Sequence, residues 1–253
     1  MIKISNFFEN ENLKIVEQEG NFKVFEYQKD YTMNPSAAPI LYYCDQMGVR
    51  KKQVVVQLNN DSCILSSGAM QWTAGSIQAQ TDLKGAGDLF GKMIKGAATG
   101  ESAVKPLYNG TGLVVLEPTY KFVLLENLEN WGGGLVLDDG LFLACNGSVQ
   151  QSIARRHNLS SAIAGGEGLF NLCLSGKGVV ALESPVPREE LIEVTLENDT
   201  IKIDGNFAIA WSNTLQFTTE RSSKSLIGSA ATGEGLVNVY RGTGKILMAP
   251  VKN

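Results

Sequence analysis

Apolar residues fall in short runs that alternate with polar ones or are continuous, and few of them recur at helical spacing. FKVFEY at 22–27, VVVQL at 54–58, TLENDTIKI at 195–203 and LVNVY at 236–240 are examples. Runs of about four to eight residues with this pattern predict strands. Helical signal is confined to 89–95, 152–157 and 223–227, each long enough for one or two turns, and to a turn at Pro187–Leu191 with proline at its first position. The pattern predicts an all-β chain.

Glycines punctuate these runs at a fixed interval. Gly-Glu steps stand at Gly100-Glu101, Gly166-Glu167 and Gly233-Glu234. Each is followed by a G-x-G (Gly110 to Gly112, Gly176 to Gly178, Gly242 to Gly244), then an apolar run, then a proline at 118, 185 or 250. Proline suits the end of a strand, where no ladder hydrogen bond is owed. Asp139-Gly140 and Asp204-Gly205 mark a second corner, matched more loosely by Asn60-Asp61, and Asn109-Gly110 carries a hairpin signal. Self-similarity at a fixed period is the mark of tandem units. The expected architecture is one domain over 1–253 made of three β repeats, approximately 13–118, 119–186 and 187–251. The first carries extra residues around Thr81 to Ala98. A unit of about six strands cannot bury both its faces, so three of them grouped about a pseudo-threefold axis would share one core, as a β-sandwich or prism-like barrel.

These motifs resemble those of the altered-inheritance-of-mitochondria family, named for a fungal mitochondrial-biogenesis protein with many bacterial relatives. The carrying stretches are GAMQW at 68–72, TGE at 99–101, TGLVVLEP at 111–118, GEG at 166–168 and TGEG at 232–235. The resemblance spans about Gln53 to Pro250. It implies a fold like that of the tryptophan RNA-binding attenuation protein, tripled within one chain as a double-stranded β-helix-like body. It also implies an association with membrane organisation, and supplies no biochemical activity.

Composition narrows the function classes. Charged residues are 19% of the 253, and the formal net charge is −4, without the basic excess usual for nucleic-acid binders. The four cysteines form no CxxC pair and there is one histidine, His157, so the spacing of a zinc site is absent and no metal or other cofactor is expected. Cys44, Cys63, Cys145 and Cys173 read as buried thiols of a reducing cytosol. The start of the chain lacks the features of a secretory signal, which places the chain in the cytoplasm.

Candidate chemistry is sparse. Threefold placement would bring Glu101, Glu167 and Glu234 to equivalent positions, where three carboxylates would hold a cation or a basic partner. The plainer reading is that each caps or pairs locally. Within the extra residues, Leu89, Phe90, Met93 and Ile94 lie beside Lys92 and Lys95. Such a segment would touch a membrane surface or a protein partner through Phe90, Lys92, Met93 and Lys95, or pack its apolar side on its own body. The glycines there match neither a dinucleotide fingerprint nor a P-loop. Arg50-Lys51-Lys52 would contact phosphate or simply end a strand in solvent. Trp72, Trp131 and Trp211 read as core anchors, with Trp131 before three glycines also suited to an exposed loop. With no nucleophile–base pair accompanying His157, the expectation is a non-enzymatic binding or scaffold protein, its partner a protein or membrane surface. The alternatives are a nucleic-acid or small-ligand module and, last, an enzyme of unknown class. Homo-oligomerisation is left open.

Overall fold

The computed structural model describes residues 2–32, 34–80, 105–155, 170–221 and 236–251. In chain order these form β1 (Leu13–Glu19), β2 (Phe22–Tyr27), helix α1 (Ala38–Gln46), β3 (Lys52–Leu65), β4 (Met70–Gln80), β5 (Leu107–Leu116), β6 (Phe122–Asn127), β7 (Leu135–Leu137) and β8 (Phe142–Asn146). They continue with β9 (Gln150–Arg155), β10 (Phe170–Ser175), β11 (Val179–Ser184), β12 (Ile192–Asp204), β13 (Ala208–Ser212), β14 (Gln216–Arg221) and β15 (Leu236–Met248). The chain is mostly β, with one short α-helix among the described residues. Eight strands form one curled sheet, ordered β1-β2-β3-β8-β11-β6 with β5 and β4 branching from β3. Seven form the second, β12-β15-β13-β7-β10-β9, with β14 on β15.

The continuous apolar runs are strands buried on both faces. Val54 and Val56 point into a cluster with Phe22, Val24, Leu58, Cys63, Val114 and Leu116, which is closed by Val123 and Leu125 of β6. Val55, between them, faces the other way, onto Phe25 and Val115 beneath Phe7, Leu13 and Trp72. A second cluster joins Leu124, Leu135, Leu137, Leu174 and Leu182 around Trp131, and a third gathers Trp211, Tyr240, Leu196 and Ile203. Each large side chain withdrawn from water in this way contributes about 1.5–3 kcal/mol.

An order of partners recurs along the chain. In the first stretch β5 pairs β3 on one side and β4 on the other. In the third, β15 pairs β12 on one side and β13 with β14 on the other. In the middle stretch the same places are filled by separate strands, because Gly176 and Gly178 break β10 from β11. β11 there pairs β6 and β8, and β10 pairs β7 and β9. Irregularities match as well: the register shifts between Met70 and Trp72, between Ala181 and Leu182, and between Ala208 and Ala210. The pairing is nevertheless open-ended. It makes two sheets, and among the described residues no ladder joins the third stretch back to the first.

Several local expectations change. Asn109-Gly110 is not a hairpin turn but lies inside β5. Gly110 has φ +135°, and a Cβ there would sit 1.9 Å from the Ser76 carbonyl oxygen of β4; at Gly112, φ +150°, it would sit 2.0 Å from that of Ala74. Strand crossing, not chain reversal, demands glycine here. Asn60 is not the counterpart of the Asp-Gly corners. It occupies a bulge with φ 51°, as Asn198 does with φ 53°. The backbone N–H of each donates to a threonine hydroxyl, Thr111 at 2.9 Å and Thr243 at 3.0 Å. The corner equivalent to Gly140 (φ +77°) and Gly205 (φ +55°) is Gly68, at φ +78°. Ser152–Arg155, read as helical, belongs to β9, where cross-strand partners on β10 override a weak local preference. The turn at Arg188–Glu190 is present, with Pro187 as its N-cap rather than its first residue. Trp131 is 3% exposed, so its glycine-flanked position is core and not an open loop.

Candidate functional site

Residues Glu101, Glu167, Glu234, Phe90, Lys92, Met93 and Lys95, together with His157 and the helical signals at 89–95 and 223–227, lie outside the described residues. Among those described, the feature that departs most from a self-satisfied surface is α1. A 3-10 turn at Pro35–Ala37 leads into it, capped by Asn34, whose side chain accepts from the Ser36 N–H, and Pro39 stands in the first turn of α1. It buries none of its residues. Tyr31, Ile40, Tyr42, Tyr43 and Met47 are each between 62% and 77% exposed. The rings of Tyr42 and Tyr43 touch edge to face, 5.6 Å apart. The sequence pattern did not reveal this helix, because its inward side amounts to the half-buried Leu41 and Cys44, too short a stripe to give a detectable period.

The base of α1 is fastened by the Arg50-Lys51-Lys52 run. Arg50 Nε meets Asp45 Oδ1 of α1 at 2.7 Å and reaches Glu26 of β2 at 3.5 Å. Lys51 Nζ lies 2.7 Å from Asp30 Oδ2, donates to Thr32 Oγ1 at 2.8 Å, and sits 6.0 and 5.5 Å from the ring centres of Tyr27 and Tyr120. Lys52 is 6% exposed, lies over the Phe122 ring at 4.6 Å and meets Glu26 at 3.4 Å. All three cations are therefore engaged within the chain. The run is neither a phosphate-binding patch nor a solvated strand end.

Asp30 is the centre of this knot. Burial alone would raise its pKa, but hydrogen bonds from Lys51, Thr32 and the Tyr120 hydroxyl outweigh that and hold the carboxyl well below the usual carboxylate range. Burial and then the Asp30 charge push the Tyr120 hydroxyl up to about 12. A second knot ties β1, β6 and the Arg188 turn. Arg188 meets Glu126 at 2.9 Å and Glu17 at 3.0 Å, and Trp131 Nε1 donates to Glu126 at 3.1 Å. Burial raises the Glu17 carboxyl, opposed by the Arg188 charge.

Two clefts of about 590 Å³ each open beside Phe122. Val49, Tyr120 and Glu183 line one; Met47, Lys52 and Arg188 line the other. Among the described residues no three His, Cys, Asp or Glu side chains gather as a metal site. The cysteines are free thiols, with Cys63, Cys145 and Cys173 buried and Cys44 partly exposed. No described helix is long and apolar enough to cross a membrane.

The family model for mitochondrial biogenesis AIM24 matches residues 46–251, most of the body just described. The chain belongs to the AIM24 family. An uncharacterised protein of Streptococcus pyogenes serotype M6 is 31% identical over 194 residues, 73% of this chain and 75% of its own. A crystal structure of a protein from Streptococcus pyogenes is similar at 28% identity with a TM-score of 0.59, covering 81% of this chain and 89% of that one. These likenesses carry the all-β fold and the family, and the relatives bring no activity with them. The AIM24 match begins at 46, the last residue of α1, so nearly all of the exposed helix lies outside the matched span.

Proposed function

We propose that this AIM24-family chain is a non-enzymatic scaffold that lays the exposed aromatic face of α1 against a membrane surface. The observation carrying the reading is that α1 fully buries no residue while Ile40, Tyr42, Tyr43 and Met47 face solvent together. Contiguous exposed apolar side chains mark interaction sites, and tyrosine suits an interface with one apolar and one wet side. The salt-bridged base holds the helix on the β body. The inward pairing of Arg50, Lys51 and Lys52 speaks against the nucleic-acid alternative at this run. Free buried thiols fit a reducing, cytoplasmic setting. The recurring registers support three copies of one unit, in the manner of the attenuation protein.

Co-sedimentation with phosphatidylcholine vesicles tests the reading. The wild type is expected to pellet with vesicles, and Tyr42→Glu/Tyr43→Glu to stay in the supernatant. Equal pelleting of the two, or none by the wild type, removes the membrane role of α1.

A further inference from the structure

The two ladders that join successive stretches inside the chain share one register. At the first, Cys63, Ile64 and Leu65 of β3 face Asn146, Cys145 and Ala144 of β8. At the second, Leu135, Val136 and Leu137 of β7 face Ser212, Trp211 and Ala210 of β13. Both are antiparallel. The donor strands are equivalent by their other partner: Cys63 pairs Tyr108 of β5, and Leu135 pairs Leu174 of β10. Tyr108 and Leu174 each stand four residues before the second glycine of their G-x-G. The acceptors are equivalent too, since Cys145 pairs Val180 and Trp211 pairs Ile246, just above the shared register shift.

The same two half-ladders occur once more, unjoined. Tyr240 holds the position of Tyr108 and Leu174, and its partner is Ile201 of β12. Thr73 of β4 pairs Val114 and holds the position of Cys145 and Trp211. Among the described residues, β12 pairs only β15, and β4 pairs only β5. Thr73 and Lys202 are exposed. Among the described residues one chain thus ends in an unpaired donor edge at Ile201–Ile203 and an unpaired acceptor edge at Trp72–Ala74.

We propose that these two edges are an interface between copies of this chain: β12 of one copy adds to β4 of the next, placing Ile201 opposite Ala74, Lys202 opposite Thr73 and Ile203 opposite Trp72. The occupant is a second copy because the interface continues one the chain makes twice within itself. An extended edge accepts any strand of matching register, and here the matching strand lies at the other end of the same sequence. Charges at Asp199, Lys202 and Asp204 keep the free edge soluble, as edge strands require. The pairing is accordingly reversible and concentration-dependent. It is also head-to-tail, so it closes into a ring or runs on as a filament according to the rotation per copy. This goes beyond the membrane reading and does not depend on α1.

Light scattering after size exclusion over a concentration series tests it. The wild-type mass is expected to rise from that of one chain towards twofold or more. Thr73→Lys sets two like charges opposite each other across the new ladder and should keep the protein at one chain. Thr73→Lys/Lys202→Glu reverses that charge and should restore the rise, whereas Tyr42→Glu/Tyr43→Glu should associate as wild type does. Thr73 is exposed, and circular dichroism checks that each variant is folded before its mass is read. A wild type that stays at one chain throughout overturns the proposal, including by closure of the two edges within one molecule. So does a Thr73→Lys protein that associates normally, or a double variant that fails to recover.

Discussion

Asp30→Asn asks whether the knot at the foot of α1 holds the fold as its geometry implies. The substitution keeps the shape and removes the charge. Lys51 would then retain only Thr32 Oγ1 and the two tyrosine rings, with its side chain 15% exposed. A hydrogen bond to a charged group contributes about 1.5–3 kcal/mol, and an orphaned buried charge costs more, so the expected loss at neutral pH is about 2–4 kcal/mol. The sign with pH follows from the lowered carboxyl. Between the folded and unfolded pKa values the unfolded chain binds the proton and the folded one does not, so stability from Asp30 is complete above the ordinary value of 3.8 and drains as pH falls below it. The gap between wild type and variant should therefore narrow by about 1.4 kcal/mol for each pH unit below that point. Urea unfolding at pH 7 and at pH 3, at equal m-values, measures both quantities. A gap under half a kilocalorie at pH 7, or one that is unchanged at pH 3, refutes the reasoning.

Two further outcomes are expected. Gly112→Ala forces a Cβ onto the Ala74 carbonyl oxygen at a φ that alanine avoids, and should cost about 2 kcal/mol or more in chemical denaturation, whereas Gly68→Ala meets no atom within 4 Å and should cost about 1 kcal/mol from its positive φ alone. Equal losses would show that strand crossing is not what fixes the glycine. Burial pushes the Cys63 and Cys145 thiols up to about 12, so native protein at pH 8 should react with a thiol reagent at Cys44 first and at the buried pair only after unfolding; mass spectrometry of the labelled peptides reads this.

The strands are legible in the sequence because both their signals are local. VVVQL at 54–58 becomes part of β3 with its three valines buried, and LVNVY at 236–240 opens β15 with Val237, Val239 and Tyr240 buried. Glycine positions are legible but their reasons are not. Asp139-Gly140 is a corner in both readings, while Asn109-Gly110 carries the same turn-like dipeptide and lies in mid-strand. A positive φ shows in the sequence; whether it serves a reversal or a close approach depends on β4, some thirty residues away. The strand at Gln150–Arg155 follows the same logic, since its partner on β10 arrives only after the intervening 156–169.

The exposed face of α1 was hidden for a different reason. Sequence patterns report what a fold buries, and α1 only half-buries Leu41 and Cys44, so Tyr42 and Tyr43 leave no trace in the periodicity. Arg50-Lys51-Lys52 misleads in the opposite sense. Read alone it is a cationic patch, but its counter-charges Glu26, Asp30 and Asp45 come from β2, the segment after it, and α1. Neutralising the run serves the helix as much as the strand: Arg50 spans from Glu26 on the sheet to Asp45 on α1, so the same residue that is lost to a phosphate tethers the exposed helix to the sheet. Removing that tether should therefore loosen α1 without unfolding the β body. A rigid aromatic face on a stable sheet would become a floppy one, and any surface affinity of Tyr42 and Tyr43 would fall because their ordering must then be met on binding.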